Sequence, residues 1–527
     1  MFAIPTKATS KVATIPAPIG GLNALDSLAA MPPTDAPAMV NWYPQPYGVI
    51  LRKGYQEHTI GLAGAVETVL AWSSGNGAQK LFAWADEHMY DATTFGPVGA
   101  PILSGLTNSI WHGINFGNTA GVHLVAFNGH DDGIIYDDTG LHRLVAGNGT
   151  DPYSISGVDP KNIIACTSHE QRLWMVEKNT GFGWYLPTDA LYGIAKRYDF
   201  GAIFKRGGYL SVLKNWTVDD GNGAEDHLVA ISSHGEVAVY SGYDVEDPTN
   251  WLLVGVYYAG APLGGRRFSD KVGGDLMLIT QVGVVSLSNL LQSSQVNETS
   301  MTANSSKIQF LLQELTDLYR SSPGWEIFYN STFNMLLVNV PSTDVAGTLQ
   351  VVCNLVTGAW TLFSGIPAVD WVMFNDYPYF GSKDGKVYRG WVGTTDGVEL
   401  DGAKGRAITA QVQQAYTYFD APAVQKQVGM YRPNLIVDLP VNFYSDIQYD
   451  FAFVRLPDPT PTRDFGSPLW DQAIWDQSTW YGGSRPQRDW FSANGIGAAV
   501  SIRMAVASKV EVLWVGTDYS FRVGGVL

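Results

Sequence analysis

The sequence predicts an all-β chain: a β-propeller of six or seven irregular blades, a C-terminal β-sandwich-like domain, and an extended N-terminal arm. Three observations predict it. Charged residues are only 16% of the 527 while aromatics are 12%, a composition that suits half-buried strands and excludes a disordered chain or a coiled coil. The 57 glycines exceed the usual ~7% and supply tight turns. Third, one phrase recurs between about residues 66 and 393, a Gly-bearing turn followed by an alternating strand.

The arm comes first. Pro5, Pro16, Pro18, Pro32, Pro33, Pro37 and Pro44 forbid a long helix or a central strand over 1–45, leaving a helical turn or two at Ala24–Met31. The apolar Ile4, Ile15, Ile19, Leu22, Leu25, Leu28 and Met31 favour a strap laid on a partner over a free tail.

The propeller is assigned to 46–393. Its clearest repeats are Asp132-Gly133-Ile134-Ile135-Tyr136, His234-Gly235-Glu236-Val237 and Asp384-Gly385-Lys386-Val387. An apolar strand such as Val122–Phe127 or Leu228–Ile231 precedes most of them, and strand, short Gly turn, strand is a hairpin. With Met89, Ile135, Trp174, Val237, Val284, Leu336 and Val387 as markers the spacings are 46, 39, 63, 47, 52 and 51 residues, which fits blades of roughly 40–50 residues with insertions. One insertion reads differently. Residues 305–320 carry apolar positions at 308, 311, 312, 315, 318 and 319, a helical spacing with possible Ser caps, stopped before Pro323-Gly324.

A turn-rich linker follows Gly393, and 394–527 reads as the sandwich-like domain, with strands at 407–419, 434–441, 443–453, 497–506, 510–515 and 519–523. A Pro/Gly loop at 456–491 interrupts it. Its aromatics Trp470, Trp475, Trp480 and Trp490 are the candidate subunit or partner contacts.

A net charge of −16 disfavours sequence-specific nucleic-acid binding and attraction to an anionic membrane. Cys166 and Cys353 read as buried free thiols. Residues 1–7 lack a charged segment leading into an apolar core, and no stretch reaches the ~18 apolar residues of a membrane span. The expectation is synthesis in a cytoplasm without a cleaved signal and without stable membrane insertion.

The search for chemistry predicts no enzyme, no cofactor and no metal. The nine histidines form no H-E-x-x-H pattern. Gly129-His130-Asp131-Asp132-Gly133 reads as a hairpin turn, and the acidic 218–226 loop lacks the ligand order of a calcium loop. Gly381–Lys386 has the wrong spacing for a phosphate loop and precedes a strand. No G-x-S-x-G elbow is present. Lys205-Arg206 and Arg266-Arg267 read as surface turns.

Several phrases together resemble the tail nozzle, or tail hub, proteins of short-tailed bacteriophages, also described as packaged-DNA stabilisation proteins. They are Asn41-Trp42-Tyr43-Pro44 with Leu51-Arg52-Lys53-Gly54, then Phe204–Leu210, the run from His227 to Gly242, Trp251, Gly260–Gly264, Gly273–Leu276, the Leu469–Trp480 tryptophan repeat and the Val523–Leu527 end. The resemblance implies a structural subunit of the virion tail, made in the host bacterial cytoplasm. It implies a homo-oligomeric ring, commonly a hexamer, below a portal and its adaptor protein. Packaged DNA would pass through its lumen without sequence-specific binding, and fibre, spike or needle proteins would dock on it. An acidic lumen would let DNA slide, because it repels phosphates. Two other readings remain: a carbohydrate-active propeller, hydrolase or lyase, with a C-terminal sugar-binding module, and a monomeric propeller scaffold that binds peptides or glycans.

Overall fold

The computed structural model describes residues 10–219, 224–292, 305–341, 349–402, 405–452 and 484–526. The chain is all-β, and its contacts divide it into two compact units, one of residues 57–348 and 367–390 and one of 1–56, 349–366 and 391–527.

The first unit is a β-propeller. Four sheets are built on four antiparallel strands each: Val66–Ser73 to Leu103–Ser104, His112–Asn118 to Gly140–Ala146, Ile163–His169 to Lys196–Asp199, and Leu210–Asp219 to Leu252–Tyr258; the second is extended by the short parallel strands Ser154–Ser156 and Gly193–Ile194. A fifth has three, Ser269–Val272, Asp275–Thr280 and Gly283–Ser286. The sixth begins with the hairpin Glu326–Asn330 and Met335–Val340, and the seventh holds Ala368–Phe374, Tyr377–Ser382 and Val387–Val392. The first strands of consecutive sheets are neighbours, except that Leu210–Asp219 of the fourth meets Asp275–Thr280, the second strand of the fifth, and the first strand of the seventh returns to that of the first. The ring therefore closes on seven sheets, the upper of the two expected numbers.

The uneven marker spacing has a simple cause. Met89, Ile135, Val237, Val284 and Val387 lie on the third strand of their sheets, whereas Trp174 and Leu336 lie on the second. The short interval of 39 followed by the long one of 63 is thus a shift of one strand, not a change of blade size.

Turn chemistry explains why the hairpins form where they do. Gly235 has φ +85 and Gly385 φ +75, a left-handed conformation that costs glycine nothing. A Cβ on Gly235 would also lie 2.4 Å from the backbone of Gly260. Between the third and fourth sheets the apolar surface is aromatic: Trp251 stacks on Trp174 at 5.9 Å and on Tyr240 at 5.2 Å, with Tyr198 and Phe200 edge-on or tilted around them.

The fifth sheet is completed differently. The expected helix is present as Gln309–Tyr319 after a 3-10 turn at Ser306–Ile308, and it packs beside Gly283–Ser286, the outermost strand, burying Ile308, Leu312 and Leu315. Its serine does not cap it. Ser305 Oγ instead accepts from the Val284 amide at 3.1 Å, so it ties the helix to the strand.

Among the described residues the second unit contains two sheets. In one, the long strands Val424–Val437 and Val512–Val526 pair with each other, flanked by Phe491–Gly497 and Arg485–Gln487 on one side and by Lys11–Pro16 and Gly48–Leu51 on the other. The other runs Phe443–Tyr449, Val500–Ser508, Arg406–Gln413, Ala38–Val40, Ala359–Ser364, Leu349–Asn354. Their faces meet where Tyr431 OH donates to Ser445 O at 2.8 Å and Phe443 abuts Phe491 at 5.4 Å.

Residues expected to form a separate arm are woven into this unit. Pro16 ends its strand, and Pro44 lies in Trp42–Gln45, which sits at the margin of its sheet, both places where a missing N–H is tolerated. Ala24–Met31 is a series of turns, not a helix, because Asn23 Oδ1 accepts from the amides of Leu25 and Asp26. No helix among the described residues is long and apolar enough to cross a membrane.

Candidate functional site at the propeller axis

Where the first strands of the propeller begin, they surround a cavity of about 440 Å³. Glu67 comes from the first sheet, Ile110, Trp111 and His112 from the second, Arg266 and Arg267 precede the fifth, Trp325 precedes the sixth, and Val369 and Lys383 belong to the seventh. The pair Arg266-Arg267, expected on a surface turn, instead points inward. The turn is pulled in because Arg267 also bridges in parallel to Glu326, whose neighbour Ile327 donates its amide to Arg267 O at 2.8 Å.

Arg267 is neutralised. Its Nη1 lies 2.8 Å from Asp370 Oδ1, and its Nη2 donates to Thr68 Oγ1 at 2.8 Å and Glu67 O at 3.1 Å. Asp370 Oδ2 also accepts from the Val69 amide at 2.6 Å, which fastens the seventh sheet to the first. Glu326 is buried against the same carboxylate and accepts from the Trp371 amide at 3.1 Å. Burial, then the Asp370 charge, pushes the Glu326 carboxyl well above its ordinary value of 4.5. Burial also raises Asp370, but the Arg267 cation opposes it. Glu326 therefore holds the proton and donates it to an ionised Asp370. Two carboxyls sharing a proton, sealed in the protein, lack the separation of roughly 5 Å or more that glycoside cleavage requires.

Arg266 is different. Its Nη1 donates to Ile164 O at 2.8 Å, and no carboxylate among the described residues pairs with it. Burial and the adjacent Arg267 charge lower it to about 10. His112 is neutral: burial drives it well below its ordinary 6.5, reinforced by Lys214, Arg266 and Arg267. Its Nδ1 accepts from the Cys166 amide at 3.4 Å, which leaves Nε2 as the N–H.

The other predicted positions resolve as follows. Trp470, Trp475 and Trp480 lie outside the described residues. Trp490 is 40% exposed, with the Arg432 guanidinium 4.6 Å over its ring, and Arg432 in turn pairs with Asp518 at 2.7 Å. Lys205-Arg206 gives its two amides to the Glu236 carboxylate at 3.0 and 2.7 Å, while the Arg206 guanidinium covers the Tyr258 ring at 3.7 Å. Asp131 is occupied by the Thr107 amide and hydroxyl and by Asn128. Residues 220–223 of the acidic loop lie outside the described residues. Among the described residues no group of three or more His, Cys, Asp or Glu is placed to hold a metal ion.

No family model matches the chain, and neither does any curated protein. Solved structures that align with it include the computationally designed Ika8 protein, at 11% identity and a TM-score of 0.37 over 64% of this chain and 100% of that one. The β-propeller domain of Swd1 from Myceliophteria thermophila aligns at 12% and 0.38, over 64% and 99%. A structure of BBS1N in complex with ARL6DN aligns at 13% and 0.26, over 42% and 64%.

Proposed function

We propose that this chain is a structural subunit of a bacteriophage tail nozzle or hub ring, built to associate with copies of itself and with neighbouring virion proteins. One observation supports self-association above others. Leu252–Tyr258 is the outer strand of the fourth sheet, and its Leu252, Leu253 and Val254 are 55%, 45% and 46% exposed. The strand, Leu-Leu-Val-Gly-Val-Tyr-Tyr, contains no charge. Free edges are normally protected by charge, proline or a bulge, because an open apolar edge pairs with another chain; this one has a bulge at Val254 but neither charge nor proline, and its apolar side chains stay exposed. An uncharged edge is stable in solution once covered by a partner.

The motif phrases fit this reading as structural devices. Asn41 and Arg52 meet in one buried cluster, Trp251 stacks between two sheets, and Gly260 crowds against Gly235. A cavity of 440 Å³ cannot pass a DNA duplex, so the conduit would be enclosed by the ring of subunits. The test is mass photometry of the purified chain, alone and with a candidate adaptor. Closed rings of uniform stoichiometry are the expected result, and a persistent monomer under every condition overturns the reading.

A further inference from the structure

The axial cavity reverses the sign of a strongly acidic protein. Arg266, Arg267 and Lys383 border it, against Glu67, and Arg267 is already paired with Asp370. Behind it, Lys214 and Asp270 offset one another. Arg266 borders the cavity with no carboxylate partner among the described residues. Of the five donors in that guanidinium, one is used, on the Ile164 carbonyl. A half-buried cation without a counter-ion is costly, and the cost is relieved by an anion placed against its fork.

The surroundings define what that anion carries. Ile110, Pro323 and Val369 supply an apolar wall, and Ile110 is 44% exposed. His112 adds a neutral donor, and Lys383 stands exposed beside the site. One guanidinium fork beside an apolar wall matches a carboxylate on an apolar body. The neighbouring Arg267 already shows the fit, because it is satisfied by a carboxylate, Asp370.

We propose that the axial cavity is a binding site for a small organic monocarboxylate, whose carboxylate pairs with Arg266 and whose apolar body lies against Ile110, Pro323 and Val369. The site is independent of whether the chain assembles into a ring.

Benzoate is the probe, titrated into the full chain by calorimetry and by ligand-observed NMR, with inorganic phosphate as the second arm. Saturable binding at one site per chain is expected, with inorganic phosphate weaker. Arg266→Gln should weaken benzoate by about tenfold or more, the loss of one charge-assisted pair. Lys383→Ala, at an exposed position that leaves the fold intact, should weaken it by about twofold to threefold. Failure of benzoate to saturate at tens of millimolar overturns the proposal. So does equal affinity in Arg266→Gln and Lys383→Ala, and phosphate binding more tightly than benzoate overturns the carboxylate assignment. Should Arg266→Gln fail to fold, Arg266→Lys keeps the charge and loses the fork. An affinity between wild type and complete loss then supports the pairing, and an unchanged one refutes it.

Discussion

Arg52–Asp396 in one unit and Arg267–Asp370 in the other are arginine–aspartate pairs whose surroundings differ. Arg52 is 1% exposed and wholly consumed. Its Nη1 and Nη2 bind the two Asp396 oxygens at 2.7 and 2.6 Å, its Nε donates to Asn41 Oδ1 at 2.9 Å, and the remaining N–H groups reach Lys53 O and Ser364 O. Five donors meet five acceptors, which is the full capacity of a guanidinium. Arg267 is similarly engaged, but it shares its carboxylate with Glu326 and has a second arginine beside it that lacks such a partner. A saturated pair fixes a fold. An arginine left with spare donors beside a cavity is free to bind.

The comparison breaks first at Arg52. Arg52→Met leaves Asp396 buried without its counter-charge and removes one of the partners of Asn41, at φ 61. Removing one member of a buried pair costs about 3–5 kcal/mol. Urea denaturation followed by tryptophan fluorescence should show the sandwich unit unfolding earlier, with the transition of the propeller unit unchanged. A single transition with an unchanged midpoint would contradict the structural role given to this cluster.

The second test separates Asp370 from Glu326. Asp370→Asn removes the charge facing Arg267 and should destabilise the propeller by about 3 kcal/mol. Glu326→Gln retains a donor toward Asp370 and should cost little at neutral pH. The sign of the pH dependence follows from linkage. A carboxyl whose folded value is raised takes up protons on folding, so its contribution is complete below the ordinary value of 4.5 and is lost as pH rises through the elevated folded value. Wild type should therefore lose propeller stability on alkalinisation, and Glu326→Gln should flatten that slope. Identical pH profiles would show that Glu326 is ionised throughout.

The same contrast shows what the sequence could disclose. Glycine turns and alternating strands are local, so the propeller, its repeating hairpins and the helix at 309–319 were legible from residue spacing. The Arg52–Asp396 cluster joins residues 344 apart in the chain, and no local pattern announces it, although both Asn41 and Arg52 fall in phrases that marked the resemblance. Two adjacent arginines are usually solvated, so Arg266-Arg267 reads in the sequence as a surface turn. Only the closure of the ring, which sets Glu326 and Asp370 beside them, draws them inward. The strand Val424–Val437 was expected to begin at 434, since Lys426, Gln427 and Gly429 interrupt its apolar pattern. Lys426 is nevertheless buried, its ammonium held by the carbonyls of Ala421 and Ala498.

A smaller effect is expected at the open edge of the fourth sheet. Leu253→Lys puts a charge on an exposed strand without touching a core, so monomer stability should change by no more than about 0.5 kcal/mol. Self-association, read by mass photometry across a concentration series, should weaken sharply. Undiminished association in this variant would move the interface elsewhere on the subunit.

The smallest signal sharpens the comparison most, because each unit holds one cysteine. Cys166 in the propeller and Cys353 in the sandwich are 1% and 5% exposed, and burial pushes both thiols up to about 12. A buried, protonated thiol reacts only after local or global opening. Native protein should thus label negligibly with a maleimide at mildly alkaline pH, and the rate measures opening of the unit that carries the thiol. In Arg52→Met, mass-spectrometric mapping should find Cys353 labelled first while Cys166 stays protected. In Asp370→Asn the order should invert. Simultaneous labelling of both thiols in either variant would mean that the two pairs stabilise one cooperative structure, and that the contrast between them lies in binding and not in local stability.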